Sequence, residues 1–145
     1  MLLGTHQPRL DEKGRLVLPA RFRDTLAPGV VLTKGQDRCV VLWPVAEFRA
    51  YADDLREASR SDARVRSYLR VLFSTAVDEV PDRQGRITLP ATLREYAGLD
   101  RELVVVGANV TAEIWQPAEW ASYLASADTA FADLDEAVMP PQPLR

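Results

Sequence analysis

Two pairs of an aspartate and an arginine, each four positions apart, are the residues of this chain best suited to specific chemistry. They are Asp11 with Arg15 and Asp82 with Arg86. An aspartate that opens a turn accepts hydrogen bonds from nearby amides, and the glycine three positions later supplies the positive φ of a tight turn. The arginine can remain in a local ion pair, worth under about 1 kcal/mol if exposed. Alternatively, it can contact phosphates or base edges from a two-stranded ribbon.

These two pairs belong to an internal repeat. Residues 11–23 read DEKGRLVLPARFR and residues 82–94 read DRQGRITLPATLR, with seven of the thirteen aligned positions identical. A second set of matches follows downstream in the same order, pairing Gly35 with Gly107, Trp43 with Trp115 and Tyr51 with Tyr123. The repeat predicts two similar halves, residues 1–58 and 76–128, related by a pseudo-two-fold axis.

Positive charge is concentrated in the first copy of the repeat. Five cations and two carboxylates lie between Met1 and Arg23, the cations being Arg9, Lys13, Arg15, Arg21 and Arg23. The second copy has Gln84 in place of Lys13 and Thr92 in place of Arg21. We therefore predict that the first copy contacts DNA and that the second pair is a structural turn, although both roles can coexist in one motif.

Each half is predicted to contain the same elements in the same order. An extended run precedes the turn, a short strand follows it, and Pro19 or Pro90 then occupies the first position of a short helix. Two more strands and a second helix complete each half. The runs before the turn are 5–10 and 76–80, the strands are 16–18, 30–34, 39–42, 87–89, 103–106 and 112–115, and the closing helices are 45–57 and 117–127.

The segment between the halves, residues 59–75, is predicted to be a linker helix. Its apolar residues recur at i, i+4, i+7 and i+8, which is typical of an amphipathic helix; they are Val65, Leu69, Leu72 and Phe73. The arginines at 60, 64, 66 and 70 form either a solvated face or a contact with the acidic surface of a neighbouring subunit. The acidic, proline-containing residues 129–145 are predicted to be a disordered tail.

Residues for catalysis are scarce. The chain has one histidine, His6, and one cysteine, Cys39, with no metal-ligand spacing, phosphate loop or nucleophile elbow. We expect no enzymatic activity, no cofactor and no metal. Trp43 and Trp115 lie in apolar context, so we expect core or interface anchors rather than platforms for single-stranded bases.

Charge, cysteine content and hydropathy indicate the cellular compartment of the protein and the partners it is expected to have. The formal net charge of −3 argues mildly against a nucleic-acid partner, but the uneven distribution of charge matters more than its sum. No internal disulfide is possible, no segment has the length of a membrane span, and no signal peptide is recognisable. These features predict a cytosolic protein without a membrane partner.

The segments DEKGRLVLPARFRDTL and DRQGRITLPATLREYAGL resemble the MraZ family of bacterial transcriptional regulators, and Leu3-Gly4-Thr5-His6 is similar to its opening. The resemblance covers about residues 1–125. It implies an α+β fold of two AbrB/SpoVT-like halves with swapped-hairpin β-barrel elements and flanking helices. It also implies ring-shaped homo-oligomers, often octamers.

The resemblance further implies double-stranded DNA as the partner. Family members bind short repeats upstream of the operon for cell division and cell-wall synthesis, mostly as repressors, which implies a nucleoid-associated location. Asp11, Arg15, Asp82 and Arg86 correspond to the family motif, and DNA contact is attributed mainly to its N-terminal copy.

Two other functions remain open from the sequence. One is an antitoxin-like protein on the same fold, whose acidic tail occupies a basic toxin. This is motivated by six carboxylates and no Lys or Arg between Glu113 and Leu144. The other is a scaffold ring without affinity for DNA.

Overall fold

The structure is a computed structural model that describes residues 1–135 and residue 138. It has a mixed α+β fold, as predicted. The first half and the linker contain β1 (Thr5–His6), β2 (Arg15–Val17), α1 (Arg23–Leu26), β3 (Val30–Lys34), β4 (Val40–Pro44), α2 (Val45–Asp54) and α3 (Ala63–Thr75). The second half contains β5 (Val77–Glu79), β6 (Arg86–Thr88), α4 (Ala91–Ala97), β7 (Val104–Ala108), β8 (Thr111–Trp115) and α5 (Pro117–Ala132).

Strands from both halves form one antiparallel sheet with the order β1-β7-β8-β4-β3-β5. Each half contributes a β-hairpin, β3–β4 or β7–β8, and the hairpins meet where Leu42 pairs with Ala112 and Val40 with Ile114. The first strand of each half crosses to the other half, since β1 pairs with β7 and β5 pairs with β3. This reciprocal exchange agrees with a pseudo-two-fold relation between the halves.

The strands that follow the two repeated turns form a second, two-stranded sheet. β2 and β6 are antiparallel, and Leu16 pairs with Ile87 at the centre. The Leu18 amide donates to the Gly85 carbonyl at 2.8 Å, and the Leu89 amide donates to the Gly14 carbonyl at the same distance. Each turn is therefore held by the strand of the opposite half.

One hydrophobic core contains residues of both halves. Both copies of the repeat contribute large, fully buried side chains to this core. They include Leu16, Leu18, Phe22 and Leu26 from the first copy and Ile87, Leu89 and Leu93 from the second. Apolar side chains alternate along β2 and β6, so the central residue of each faces the core. A smaller second cluster around Trp115 also includes Cys39 of the first half, so both buried clusters of the described residues are shared between the halves.

Three helix boundaries differ from the predicted ones. Pro19 and Pro90 have extended ψ angles and act as caps, and the helical turns begin at Ala20 and Ala91. The predicted position of proline as the first helical residue is therefore wrong by one residue. The helical run predicted as 45–57 is α2 followed by a 3-10 turn at Leu55–Glu57.

The last described helix is longer than predicted. α5 continues beyond the expected end at Ala127 to Ala132, because the alanine-rich segment favours helix more strongly than its single aspartate opposes it. The predicted disorder of residues 129–132 is therefore wrong. Residues 136, 137 and 139–145 of the predicted tail lie outside the described residues.

The linker helix α3 begins at Ala63, four residues after the predicted start at residue 59, because the carboxylate of Asp62 caps it by accepting a hydrogen bond from the Arg64 amide. Leu69 and Leu72 are buried as predicted, whereas Phe73 is 43% exposed. Among the described residues, no helix combines the length and apolarity needed to cross a membrane.

Candidate nucleic-acid interface

The first repeated turn is closed by the carboxylate of Asp11. Its Oδ1 accepts hydrogen bonds from the amides of Lys13 and Arg15 at 2.8 and 2.9 Å, and its Oδ2 accepts from Arg15 Nε at 2.8 Å. The Gly14 amide donates to the Asp11 carbonyl at 3.1 Å. Arg15 is thus fixed at its amide and at Nε, and the two terminal nitrogens of its guanidinium have no hydrogen bond within residues 1–135.

The second turn has the same geometry. Asp82 Oδ1 accepts from the amides of Gln84 and Arg86 at 2.9 Å each, and Oδ2 accepts from Arg86 Nε at 2.7 Å. The side chains of Arg86 and Arg15 are exposed to nearly the same degree, 28% and 29%. The structural role considered for the second pair is therefore present in both copies.

Hydrogen bonding lowers the pKa of both aspartates. The bond from the Arg15 amide is the largest cause of the lowered pKa of Asp11, and the bond from the Arg86 amide is the largest cause for Asp82. The arginine side chains lower both pKa values further. Each carboxylate is therefore ionised at neutral pH and holds its arginine in a fixed position.

Each turn also packs against an arginine of the other half. Arg23 Nε and the Arg94 guanidinium lie against Gly85 and Gly14, respectively, where a Cβ would stand 2.8 Å and 3.5 Å away. Arg23 Nε also donates to the Leu18 carbonyl at 3.3 Å. Arg94 was not among the predicted site residues, although its identity with Arg23 in the aligned repeat was a usable signal.

The structure separates the five predicted DNA-binding cations into two groups. Arg9 forms an ion pair with Glu102 at 2.9 Å, and Arg23 covers the second turn, so both have structural partners. Lys13 and Arg21 are exposed, and neither forms an ion pair among the described residues. Together with the terminal nitrogens of Arg15, they are the positive groups of the first copy that remain available to a ligand.

The second turn carries a different arrangement of charge, with the exposed Arg83 at the position of Glu12. Gln84 and Thr92 stand at the positions of Lys13 and Arg21. In addition, the carboxylate of Glu79 accepts a hydrogen bond from the Thr88 amide at 2.9 Å, which places a negative group on the strand that follows the turn. The aligned position of the first copy is Pro8, which has no charge. The two turns therefore share one backbone geometry but place their charged side chains at different positions.

The tryptophans pack against aromatic neighbours in both halves. Trp43 stacks on Tyr51 with ring centroids 5.0 Å apart, and its Nε1 donates to Thr33 Oγ1 at 3.0 Å. Trp115 is 4% exposed and lies 5.3 Å from Trp120 and 5.1 Å from Tyr123. These contacts agree with the predicted role as anchors. Cys39 is buried, and desolvation raises the pKa of its thiol to about 12, so it is not a nucleophile.

Comparison with known proteins gives one family. The family profile described as "MraZ protein, putative antitoxin-like" matches twice, at residues 1–71 and 72–139. The transcriptional regulator MraZ of Salinispora tropica is 57% identical over 97% of this chain and 99% of its own length. The proteins of the same name from Frankia alni and Thermobifida fusca are 55% and 54% identical, each over 97% of this chain and 98% of the relative. These relatives are regulators and not enzymes, which confirms the expectation that the chain has no enzymatic role. The chain belongs to the MraZ family.

Proposed function

We propose that this protein is a sequence-specific transcriptional regulator that binds double-stranded DNA through the first repeated turn. The observation that carries the proposal is the difference between two turns of identical geometry. The first copy has two exposed cations without an ion pair in the described part of the chain, Lys13 and Arg21, where the second copy has the uncharged Gln84 and Thr92. The second copy has one such cation, Arg83, at the position of Glu12. The relatives named as transcriptional regulators support the same assignment.

Arg15 is the residue to which we assign base or phosphate recognition. Asp11 engages Arg15 Nε, so the guanidinium is oriented before DNA arrives and loses less conformational freedom on binding. Its terminal nitrogens can form a bidentate contact with guanine or with a phosphate. Lys13 and Arg21 add phosphate contacts, while Arg9 and Arg23 act chiefly by maintaining the turn and its potential.

The fold proposed for this interface is the AbrB/SpoVT type with swapped hairpins. Its support is the reciprocal pairing of β2 with β6 and the amide bonds that each half donates to the opposite turn. Because the β2–β6 ribbon is hydrogen-bonded to the turns of both halves, it should keep its shape when it enters a groove of DNA. We assign recognition to the rigid turn and not to a mobile loop.

The operator is proposed to be a set of short repeats upstream of the protein's own cell-division and cell-wall operon, which the protein represses at the nucleoid. One small basic turn binds DNA weakly, whereas a ring of copies facing several repeats gains through effective concentration. A ring, of eight copies by the family resemblance, also allows a chain of net charge −3 to bind DNA, because only one face requires positive potential.

The test compares Arg15→Ala with Arg86→Ala. Both variants remove an arginine of equal exposure and the same local ion pair, so we expect similar changes in stability. Only Arg15→Ala should weaken binding to the upstream DNA, by about 1–3 kcal/mol, which corresponds to roughly 5- to 150-fold. Fluorescence anisotropy with a labelled duplex and a scrambled duplex of equal length measures this difference.

Two further conditions complete the experiment. Binding of the wild type should weaken steeply between low and high salt, whereas a scaffold ring without DNA affinity would bind neither duplex at any salt concentration. Equal affinity of wild type and Arg15→Ala for the native duplex would exclude the role assigned to Arg15. Equal losses in the two variants would show that both turns contact DNA.

An antitoxin-like function is the second candidate. Its support is the printed description of the family and the acidic, cation-free segment from Glu113 to Leu144. In this function a basic protein partner would cover the acidic segment. Co-purification of one defined basic protein at a fixed ratio, lost when Asp128, Asp133 and Asp135 are replaced by asparagine, would support it.

A further inference from the structure

The outer half of α5 presents exposed apolar side chains in an open groove that is also lined by Asp37 and Arg38 of the same chain. No residue of α5 is buried, and its only aromatic packing is at the inner end, where Trp120 and Tyr123 contact Trp115. Beyond that point Phe131 is 82% exposed, and Leu134, just after the helix, is 53% exposed. Large apolar side chains exposed side by side in a groove are typical of an interaction site.

The charges around this surface are mainly negative, although Arg38 lines the same groove as Phe131 and Leu134. Asp128, Asp133 and Asp135 flank Phe131 and Leu134, and no Lys or Arg occurs between Glu113 and Leu144. None of these three aspartates forms an ion pair among the described residues. An occupant of complementary chemistry would therefore combine an apolar floor with a basic rim.

The linker helix α3 provides such a surface. A groove of about 240 Å³ is lined by Leu69 and Phe73, with three arginines around them, Arg60, Arg66 and Arg70. Phe73 is 43% exposed although it follows the apolar pattern of α3. Arg66 donates to the carbonyls of Arg60 and Ser61 at 2.9 and 3.1 Å, which fixes the loop that forms one side of the groove.

We propose that the outer half of α5 docks into the Arg60–Arg66–Arg70 groove of a second copy of this chain. Phe131 and Leu134 pack on Leu69 and Phe73, and the aspartates beside them face the arginine rim. In the described part of the chain, no salt bridge or hydrogen bond joins the two surfaces within one copy, and the exposure of Phe131, Leu134 and Phe73 leaves these side chains accessible to a second copy.

This contact is heterologous, because it joins two different surfaces. Each copy offers one α5 and one groove, so the contact repeats from copy to copy and closes into a ring when the rotation between neighbours permits. The inference rests on the proposed assembly of the regulator and identifies its interface. It also assigns a role to the arginines of α3, which the DNA-binding face does not use.

The test uses two full-length variants that break opposite sides of the contact. Phe131→Asp removes the docking side chain and leaves the groove intact. Arg70→Glu reverses the charge of an exposed arginine that has no hydrogen bond among the described residues, and it leaves α5 intact. Light scattering after size exclusion should give a smaller particle than wild type for each variant alone, with unchanged far-ultraviolet circular dichroism.

Mixing the two variants distinguishes this contact from a general loss of solubility or fold. In an equimolar mixture, the intact α5 of Arg70→Glu can occupy the intact groove of Phe131→Asp, so one contact forms and propagation stops. The mixture should show a particle of twice the mass of either variant. Controls with the same change of residue type elsewhere are Val110→Asp, in the β7–β8 turn, and Arg49→Glu, on α2; both should retain the wild-type mass.

The proposal is overturned if either variant keeps the wild-type mass, or if the mixture shows no new species. Failure of the proposed DNA binding would appear separately. Arg15→Ala should retain the wild-type mass, and Phe131→Asp should bind a duplex with a single operator repeat as wild type does while losing at least tenfold in affinity for the full set of repeats. A wild-type mass in both interface variants, with a basic protein bound to α5, would instead assign this surface to another partner.

Discussion

At the scale of single residues, Asp11 and Asp82 make the stability of the folded protein depend on pH. Each carboxylate accepts three hydrogen bonds from its own turn, and its pKa lies below the ordinary value of 3.8. A group whose pKa is lower in the folded state stabilises the protein fully above its unfolded pKa. That contribution is lost as the pH falls through the folded pKa.

Asp82→Asn tests this linkage away from the proposed DNA contact. The amide can still accept from backbone N–H groups, but it neither titrates nor pairs with the charge of Arg86. We expect the urea midpoint of wild type to fall more between about pH 5 and pH 2 than that of the variant. The midpoints should be measured at several pH values in that window; parallel curves would show that Asp82 does not contribute.

The residue types of the candidate site were predictable, but their partners were not. The repeated Asp-x-x-Gly-Arg pattern predicted the turn and its carboxylate cap correctly, because those bonds are local. The ion pair of Arg9 with Glu102 and the packing of Arg23 on Gly85 join residues distant in sequence. Counting cations in a segment therefore overstated the charge that is available to a ligand.

At the scale of elements, three glycines have a similar positive φ but different surroundings. Replacing each with alanine therefore distinguishes the free-energy cost of the backbone conformation from the cost of steric contact with neighbouring atoms. Gly14, Gly85 and Gly98 have φ values of +75°, +73° and +64°, a region that costs other residues about 1–2 kcal/mol. A Cβ on Gly98 meets nothing within 4 Å, one on Gly14 lies 3.5 Å from Arg94 Cζ, and one on Gly85 lies 2.8 Å from Arg23 Nε.

Alanine at these positions should therefore destabilise the protein to different degrees. Gly98→Ala should cost only the backbone term, about 1 kcal/mol, and Gly14→Ala should cost about the same. Gly85→Ala should cost more, because Arg23 must move and lose its bond to the Leu18 carbonyl. Urea denaturation measures the order, and a smaller effect at Gly85 than at Gly98 would contradict it.

The elements themselves followed from local patterns, whereas their connections did not. Strands β3, β4, β7 and β8 were predicted within about two residues, since runs of buried β-branched residues are a local signal. Nothing local indicates that β1 pairs with β7 or that β2 pairs with β6, because pairing is decided by burial and backbone bonding across the chain. The end of α5 was missed because acidic residues were given more weight than alanine.

At the scale of the whole molecule, the exchange of strands makes the two halves one folding unit. One sheet contains three strands of each half, and one core includes Leu16 of the first half and Ile87 of the second. Opening either half would expose the core face of the other and break its bonds to β1 or β5. We therefore expect the duplicated sequence to unfold as one cooperative structure and not as two linked domains.

A destabilising substitution in the first half should consequently lower the stability of the second half as well. Trp43→Phe leaves Trp115 and Trp120 as the only tryptophans, so fluorescence then reports on the second half alone. Adding Leu16→Ala, at a side chain only 1% exposed, should lower the free energy of unfolding by about 2–5 kcal/mol. The urea midpoint should fall equally by fluorescence and by far-ultraviolet circular dichroism, measured at one protein concentration. If the fluorescence midpoint stays in place while the circular dichroism transition splits, the halves unfold independently, and the shared core does not couple them.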